Sequence, residues 1–317
     1  MWMGSGGAAP RGVRLTASEL PPSSLLMGDD RVDAIGKSVH VVHPATTVRP
    51  VSGFALVLIG GGNMGAALLT GLMGRPSAAH GTGPGTGLAV VEIEPERRAW
   101  LRDAFGSVSV LDEIPEADAA IVATKPDGAA DAARRAAAAG ARRVLSIAAG
   151  VTTSTLDDAV GPDVAVVRAM PNLAALVGRG AAAVTAGRAA SENDLVWAES
   201  ILGSVGRVDR LDESEFDAFT ALAGSGPGYL FAVAEHLVAA GIEADLPADL
   251  ATDIVRSLFA GVAELLGDDG DPAELRRRVT SPGGTTEAGL AVLTQRDMRA
   301  ALVDAVAAAA SRSRELG

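Results

Sequence analysis

From residue 54 onward, the chain alternates between short apolar runs and segments with helical periodicity. The apolar runs are nearly continuous, which is typical of strands that are buried on both faces of a sheet. We predict strands over 54–59, 88–93, 119–123, 144–148 and 164–169. We predict helices over 66–73, 95–105, 128–139, 153–160 and 191–205, with Ser191 and Asp194 capping the last. This alternation predicts a parallel sheet with helices on both faces.

Beyond about residue 213 the pattern changes to helix after helix, with no convincing strand. One segment carries an apolar stripe formed by Leu246, Leu250, Ile254, Leu258, Val262 and Leu265. We therefore divide the chain into an α/β domain over 54–212 and an all-helical domain over 213–317. A helical domain of about 105 residues is small for a complete core, so we expect its apolar stripes to be used at a subunit interface.

The first 53 residues differ from the rest in composition. They are rich in Gly, Pro and Ser and have no sustained period, so we predict a disordered extension over 1–53. Although 48% of all residues are apolar, no apolar run approaches the roughly 20 residues of a membrane span. The N-terminus also lacks the charged-then-apolar pattern of a signal peptide. We expect a cytoplasmic protein without a membrane partner.

Charge and cysteine content exclude several classes of function. The formal net charge is −12, which argues against a nucleic-acid partner because a phosphate backbone binds a basic surface. Cysteine is absent, which excludes disulfides, thiolate catalysis and Cys-ligated zinc. The histidines do not pair with carboxylates at metal-ligand spacing; they are His40, His43, His80 and His236. We expect no metal site.

The first predicted strand leads into a glycine-rich turn, IGGGNMG at 59–65, which contains the pattern G-x-G-x-x-G. The first glycine permits a tight turn, the second lets the backbone approach a pyrophosphate, and the third lets helix and strand pack closely. The N-terminus of the following helix favours an anion. The motif therefore predicts a Rossmann-type dinucleotide-binding domain, and the alternative is a tight turn without a ligand. The predicted cofactor-binding residues here are Gly60, Gly62, Asn63, Met64 and Gly65.

The second predicted strand ends in acidic residues, Glu92 and then Glu94. Glu92 lies further from the glycine turn than the usual spacing of about 20 residues, and the glycine-rich insertion at 81–87 accounts for the excess. A carboxylate at this place accepts hydrogen bonds from the adenosine ribose and repels a 2′-phosphate. We expect an NAD(P)H cofactor bound by Glu92 and favour NADH over NADPH, although Arg97 and Arg98 lie close by. For Glu94, the alternative to a role at the cofactor is a solvated charge at the end of the strand.

Six segments in this order resemble the pyrroline-5-carboxylate reductase family, over roughly residues 55–316. They are IGGGNMG (59–65), ATKP (123–126), SIAAGV (146–151), RAMPN (168–172), ALAGSGPGY (221–229) and SPGGTTEAGL (281–290). The resemblance implies a Rossmann domain followed by an all-helical substrate-binding and dimerisation domain, assembled as dimers or rings of dimers. It also implies reduction of the cyclic imine 1-pyrroline-5-carboxylate to L-proline with NAD(P)H, the last step of proline biosynthesis.

The resemblance implies roles for three further turns. In the family the P-G-G-T-T loop cradles the substrate carboxylate, so the substrate-binding residues would be Ser281, Gly283, Gly284, Thr285 and Thr286. The two glycines would expose backbone amides to the anion, and the threonines would add hydroxyl donors. Thr286 would be the hydroxyl nearest the imine nitrogen and hence the catalytic residue. Thr124, Lys125 and Pro126 would border the nicotinamide, and Asn172 would line the same crevice.

The chain departs from the family pattern at three places. Leu173 and Ala174 stand where Thr-Pro is usual, Ala223 replaces a common Ser, and Glu287 stands where an apolar residue is usual. A charge at Glu287 would weaken binding of the usual substrate or indicate a related one, unless the side chain points away. The alternatives are thus a reductase of a related cyclic imine and a catalytically silent dinucleotide-binding or scaffold protein. A 3-hydroxyacid dehydrogenase is disfavoured. Its chemistry normally uses a Lys at the substrate carbonyl, from the helix that precedes the second domain, and this chain has no Lys after Lys125.

Overall fold

The computed structural model describes residues 53–74, 87–267 and 270–316. The predicted disordered extension over 1–53 lies outside the described residues, except for Gly53. The described strands are β1 (Leu56–Ile59), β2 (Leu88–Val91), β3 (Ser109–Leu111), β4 (Ala119–Val122), β5 (Arg143–Ser146), β6 (Ala165–Pro171), β7 (Gly180–Ala186) and β8 (Gly206–Arg210).

These strands form one sheet in the order β3-β2-β1-β4-β5-β6-β7-β8. The first six are parallel, but β7 runs antiparallel to β6, and β8 is parallel to β7. The prediction of a parallel sheet is confirmed for the five predicted strands, but the sheet continues with β7, which was not predicted and runs antiparallel to β6. Only a short 3₁₀ turn, Leu173–Val177, joins β6 to β7, and a parallel pair would need a long crossover. The strand order reverses between β1 and β4, as in a Rossmann domain.

The helices of the α/β part are α1 (Asn63–Met73), α2 (Pro95–Ala104), α3 (Pro126–Ala138), α4 (Thr153–Val160) and α5 (Glu192–Leu202). The carboxylate of Asp194 accepts the backbone N–H and the hydroxyl of Ser191 at 2.9 and 2.6 Å, which confirms the predicted cap of α5. The helical part consists of α6 (Phe216–Phe219), a π-helical turn (Thr220–Gly224), α7 (Gly226–Glu243), α8 (Ala248–Leu266), α9 (Pro272–Arg278), α10 (Thr285–Gln295) and α11 (Met298–Leu316). No helix of the described ranges is long and apolar enough to cross a membrane.

The sheet separates two apolar cores because alternate residues of each strand point to opposite faces. Leu58 and Ile121 pack in the core that contains the buried side of α1 and α5. Val57 and Val122 pack in the other core, against the alanines of α3 and against α4. The continuous apolar runs in the sequence are thus explained by burial on both faces.

The helical part has little core of its own. Among its described residues, α7, α9 and α10 have none that is buried, and α8 buries only Ala251 and Val255. The six residues of the predicted α8 stripe, counted from Leu246 to Leu265, are between 38% and 64% exposed. Such a contiguous apolar surface on a single chain marks an interaction site.

A half-buried ion pair ties the helical part to the sheet. Arg168 of β6 is 6% exposed, and its Nη1 donates to Oε1 of Glu213 at 2.8 Å. The same Oε1 accepts the backbone N–H of Thr153 at 2.7 Å, and the Thr153 hydroxyl donates to Oε2. Burial favours a higher pKa for Glu213, but the hydrogen bonds from Thr153 and Arg168 together outweigh burial and lower its pKa.

Candidate active site

The glycine turn between β1 and α1 is closed on its protein side and open on the other. Gly60 has φ +106°, and an added Cβ would lie 2.5 Å from the carbonyl oxygen of Ala123. A Cβ on Gly65 would clash with the carbonyl oxygen of Gly60. Gly62, by contrast, has no atom within 4 Å of an added Cβ, and it begins α1 without a side-chain cap. A pyrophosphate therefore has room to approach the unpaired amides at the start of α1.

Glu92, at the end of β2, lies against the same turn. Its Oε2 accepts the backbone N–H of Gly61 at 2.9 Å, and its Oε1 accepts that of Glu94 at 3.0 Å. Glu94 is exposed. The Glu92 carboxylate is therefore fixed beside the glycine turn, where a nucleotide ribose would lie in a Rossmann domain.

Two arginines beside Glu92 are held by backbone carbonyls. Arg97 Nε donates to the carbonyl of Gly61 at 2.6 Å, and its guanidinium lies 3.9 Å from the centre of the Trp100 ring. Arg98 Nη1 donates to the carbonyls of Glu92 and Ile93 at 2.8 and 2.7 Å. Both guanidinium groups thus already donate hydrogen bonds to backbone carbonyls, and that of Arg97 also contacts the Trp100 ring of α2.

The turn after β4 lies next to the glycine turn. The N–H of Ala123 donates to the carbonyl of Ile59 at 2.8 Å. Pro126 begins α3, and Lys125 precedes it as an exposed residue. The hydroxyl of Thr124 donates to the carbonyl of Lys125 at 3.2 Å. The sheet thus brings the predicted cofactor residues from Gly60 to Pro126 to one edge, beside the crevice between β1 and β4 where doubly wound sheets bind nucleotides.

Asn172 bridges three segments of the protein. Pro227 lacks a backbone N–H, so the carbonyl of Ala223, four residues earlier, receives no helical hydrogen bond from it. Nδ2 of Asn172 donates to that carbonyl at 3.0 Å, and Oδ1 accepts the N–H of Ala181 in β7 at 3.0 Å. Its role as a cofactor-binding residue stays a prediction, and the sequence reading missed this structural use of its amide.

Residues 281–284 form a tight turn before α10. The N–H of Gly284 donates to the carbonyl of Ser281 at 3.0 Å, and Gly283 has φ +71°. Pro in the second place and a positive φ in the third are the signature of a type II turn. A Cβ on Gly284 would lie 2.5 Å from Oγ of Ser281. The geometry of the turn therefore explains why Pro282, Gly283 and Gly284 occur between two helices.

The structure corrects the expectation that Gly283 and Gly284 expose free amides. The Gly284 amide is used in the turn, and the Gly283 amide donates to Oε2 of Glu287 at 2.7 Å. The available donors lie instead in the first turn of α10, which begins without a side-chain cap and whose first amides have no partner within the helix. Together with the hydroxyls of Thr285 and Thr286, these amides form a surface that can bind an anion.

A single chain does not join this loop to the cofactor crevice. Within the ranges that the structure describes, no hydrogen bond or ion pair links 281–287 to the turns after β1, β2 and β4. Thr285 and Thr286 are exposed, and α10 packs against α11. A site that combined the two parts would require a second subunit or a movement of the helices.

Two residues important for the arrangement were not singled out from the sequence, Arg168 and Glu213. The signal was present, because Arg168 is a lone charge inside the apolar run 164–169. A charge in a buried strand needs a partner. The identity of that partner depends on the packing of the chain, so the sequence alone did not indicate Glu213.

Comparison with known proteins agrees with the geometry. A family model for pyrroline-5-carboxylate reductase dimerisation matches residues 213–316. A pyrroline-5-carboxylate reductase from Corynebacterium melassecola is 35% identical over 271 residues, covering 83% of this chain and 98% of the relative. The structure of a pyrroline-5-carboxylate reductase from Coxiella burnetii matches with a TM-score of 0.75 at 28% identity, covering 83% of this chain and 98% of that one. The Plasmodium falciparum pyrroline carboxylate reductase with NADP bound matches with a TM-score of 0.70 at 25% identity, over the same shares of the two chains.

The sheet order and the glycine turn define a Rossmann-type dinucleotide-binding protein with a helical C-terminal part. The chain belongs to the pyrroline-5-carboxylate reductase family, as its match over 98% of a 35% identical relative shows. The resemblance drawn from the six sequence segments is therefore confirmed, and so is the fold class.

Proposed function

We propose that this protein reduces 1-pyrroline-5-carboxylate to L-proline with NAD(P)H, as the last step of proline biosynthesis. The observation that carries the proposal is the match to a relative named pyrroline-5-carboxylate reductase. The match covers 98% of the relative's length. The geometry supports it, because the space beside Gly62 is open to a pyrophosphate and the start of α10 offers donors to a small anion. The departures at Leu173 and Ala223 lie outside the glycine turn and the loop, whereas Glu287 lies on the loop and accepts the Gly283 N–H.

The two reactants would be held by different parts of the chain. The cofactor supplies a hydride from nicotinamide C4 to the carbon of the C=N bond when it is bound. The open space above Gly62 admits the pyrophosphate, and the turn at Lys125 borders the nicotinamide half. The amides at the start of α10 and the hydroxyl of Thr285 hold the substrate carboxylate. The chain thus contributes mainly by orienting the imine carbon toward the cofactor.

Thr286 would hold or relay the proton at the imine nitrogen. A protonated imine is already electrophilic, so a hydrogen-bonding hydroxyl is sufficient and no strong acid is required. We expect Thr286→Val to lower kcat by about 10²-fold or more, which is the usual contribution of a proton-transfer group. Steady-state kinetics at saturating substrate measure this, with Thr294→Val on the same helix as the control. Unchanged turnover would remove the relay role.

We propose that NADH is preferred over NADPH. The Glu92 carboxylate stands where the ribose 2′-hydroxyl would lie, and a 2′-phosphate would meet its negative charge. Arg97 and Arg98, the nearest cations along the chain, already donate to backbone carbonyls. A 2′-phosphate would therefore have to displace existing hydrogen bonds before it gained a guanidinium partner.

We further propose that the protein assembles as dimers or rings of dimers in the cytoplasm, without a nucleic-acid or membrane partner. The exposed apolar stripe of α8 and the family match of the helical part to a dimerisation domain support self-association. A partner subunit would also supply the contact between loop 281–287 and a cofactor crevice that a single chain lacks.

One assay tests the proposed function and the cofactor preference together. Purified protein is mixed with 1-pyrroline-5-carboxylate and either NADH or NADPH, and the loss of reduced cofactor is followed by absorbance. We expect turnover with both and a higher kcat/KM with NADH. Turnover only with another cyclic imine would indicate the related reductase, and no turnover with either cofactor or imine would indicate the silent binding protein.

A further inference from the structure

We propose that the carboxylate of Glu287, held on the loop by the Gly283 amide, repels the substrate carboxylate and thereby lowers the affinity for anionic substrates. The inference rests on the proposed function for the place where the substrate binds. It assigns to Glu287 a role in specificity, since the residue touches a loop amide that would otherwise be available to an anion.

The geometry places the Glu287 carboxylate on the anion-binding loop. Its Oε2 accepts the backbone N–H of Gly283 at 2.7 Å. Gly283 has φ +71° and no atom within 4 Å of an added Cβ, so the space beside its α-carbon is open. Glu287 is exposed, and among the described residues it forms no ion pair. The carboxylate is thus held on the loop by an amide.

Its position along α10 puts that charge beside the predicted substrate. Gly284 precedes the helix, and Glu287 is the third residue within it, directly after Thr285 and Thr286. A substrate carboxylate at the first-turn amides would lie within a few ångströms of Glu287. Two unit charges about 6 Å apart repel by about 1.4 kcal/mol at an effective dielectric constant of about 40, which is about tenfold in affinity.

A purely structural role makes a different prediction. A Glu at the third helical position that reaches back to a preceding N–H resembles a capping box and would only stabilise the start of α10. Removal of the charge with retention of the acceptor separates the two roles. Glu287→Gln keeps an oxygen that can accept the Gly283 N–H, but it abolishes the repulsion.

The test compares Glu287→Gln with wild type in the full-length protein, using Asp163→Asn as a matched control. Asp163 is an exposed carboxylate just before β6, at the amino ends of the parallel strands and thus at the sheet edge opposite the cofactor crevice. We measure KM and kcat for 1-pyrroline-5-carboxylate. We also measure the Ki of cyclopentanecarboxylate, which carries the anion without the imine.

We expect Glu287→Gln to lower KM and Ki by about four- to tenfold, with kcat nearly unchanged. Asp163→Asn should match wild type. An unchanged or raised KM and Ki in Glu287→Gln would overturn the proposal, as would an equal decrease in Asp163→Asn. If the wild type does not turn over the imine, the proposed function fails, but protection against heat by cyclopentanecarboxylate still tests the repulsion. Half-maximal protection of Glu287→Gln should then need about four- to tenfold less of the acid, and equal concentrations would contradict it.

Discussion

At the scale of single residues, steric requirements were predictable and hydrogen-bond partners were not. The three glycines of the first turn have the close or open surroundings that their motif requires, because a missing Cβ is a local property. The amide of Gly283 could not be assigned in this way. Its partner, Glu287, depends on the side-chain conformation that follows the turn. The same holds for Asn172, whose partners Ala181 and Ala223 are distant in sequence.

The bridge made by Asn172 gives a prediction about Pro227. Asn172→Ala leaves the Ala223 carbonyl and the Ala181 N–H without partners, and we expect it to destabilise the fold by about 2 kcal/mol. Pro227→Ala restores an N–H that can bond the Ala223 carbonyl. It should therefore reduce the cost of Asn172→Ala by about 1 kcal/mol.

Urea unfolding of wild type, both single variants and the double variant at one protein concentration measures this coupling. Asn172→Ala could lower the free energy of unfolding equally in the wild-type and the Pro227→Ala backgrounds. That result would show that the bridge does not substitute for the missing helical hydrogen bond.

At the scale of secondary-structure elements, long apolar periodic segments were predicted and weakly patterned strands were missed. Five strands and five helices of the α/β part were found within a few residues of their bounds. β3, β7 and β8 were not predicted. β3 has only three residues, β7 is rich in Ala, and β8 carries charges at Arg207, Asp209 and Arg210. Such strands form because neighbours in the sheet supply hydrogen bonds, so local propensity does not reveal them.

The ion pair that connects β6 to the helical part predicts a stability effect with a defined pH dependence. The pKa of Glu213 is lowered in the folded protein, so its contribution is complete above its ordinary pKa of about 4.3 and is lost as the pH falls through the folded value. Glu213→Gln leaves the Arg168 guanidinium buried without an anion, and we expect a loss of about 2–3 kcal/mol at pH 7.

Thermal unfolding between pH 3 and 7 measures this effect, with the exposed Glu113→Gln as the control. The difference between wild type and Glu213→Gln should shrink as the pH falls from the ordinary pKa of about 4.3 toward the lowered folded value, because protons then bind the unfolded chain more readily than the folded carboxylate. A difference that is constant over this range would show that the charge of Glu213 does not stabilise the fold.

At the scale of the whole molecule, the division into an α/β part and a helical part was predictable from the sequence. The contact between loop 281–287 and the cofactor crevice was not. Alternation of strands and helices predicted the sheet, and the helix-only remainder predicted a part that needs a partner. The loop at Thr285 and Thr286 is exposed, and among the described residues it forms no hydrogen bond with the turns of the cofactor crevice, so the proposed site is not completed within one chain. The domain boundary near residue 212 stays a prediction.

The exposed stripe of α8 predicts the oligomeric state. Leu258 lies in the middle of the stripe and is 48% exposed, so Leu258→Asp should not disturb a buried core in one chain. It should place a charge in the subunit interface and shift the protein to monomers with strongly reduced activity. Ala260→Asp, on the opposite side of α8, is the control. Light scattering at several concentrations measures the mass, and an unchanged assembly would contradict the assignment of this surface.

The central claim is that a dinucleotide at the glycine turn delivers its hydride to an imine carbon held beside Thr286. The most direct measurement uses NADH and NADPH deuterated at either face of nicotinamide C4, together with 1-pyrroline-5-carboxylate, and determines the mass and labelling of the product. The account predicts L-proline with one deuterium at the former C=N carbon, from one face of the cofactor only. Unlabelled proline with both faces of a cofactor that turns over, or no proline with any of the four cofactors, would contradict it.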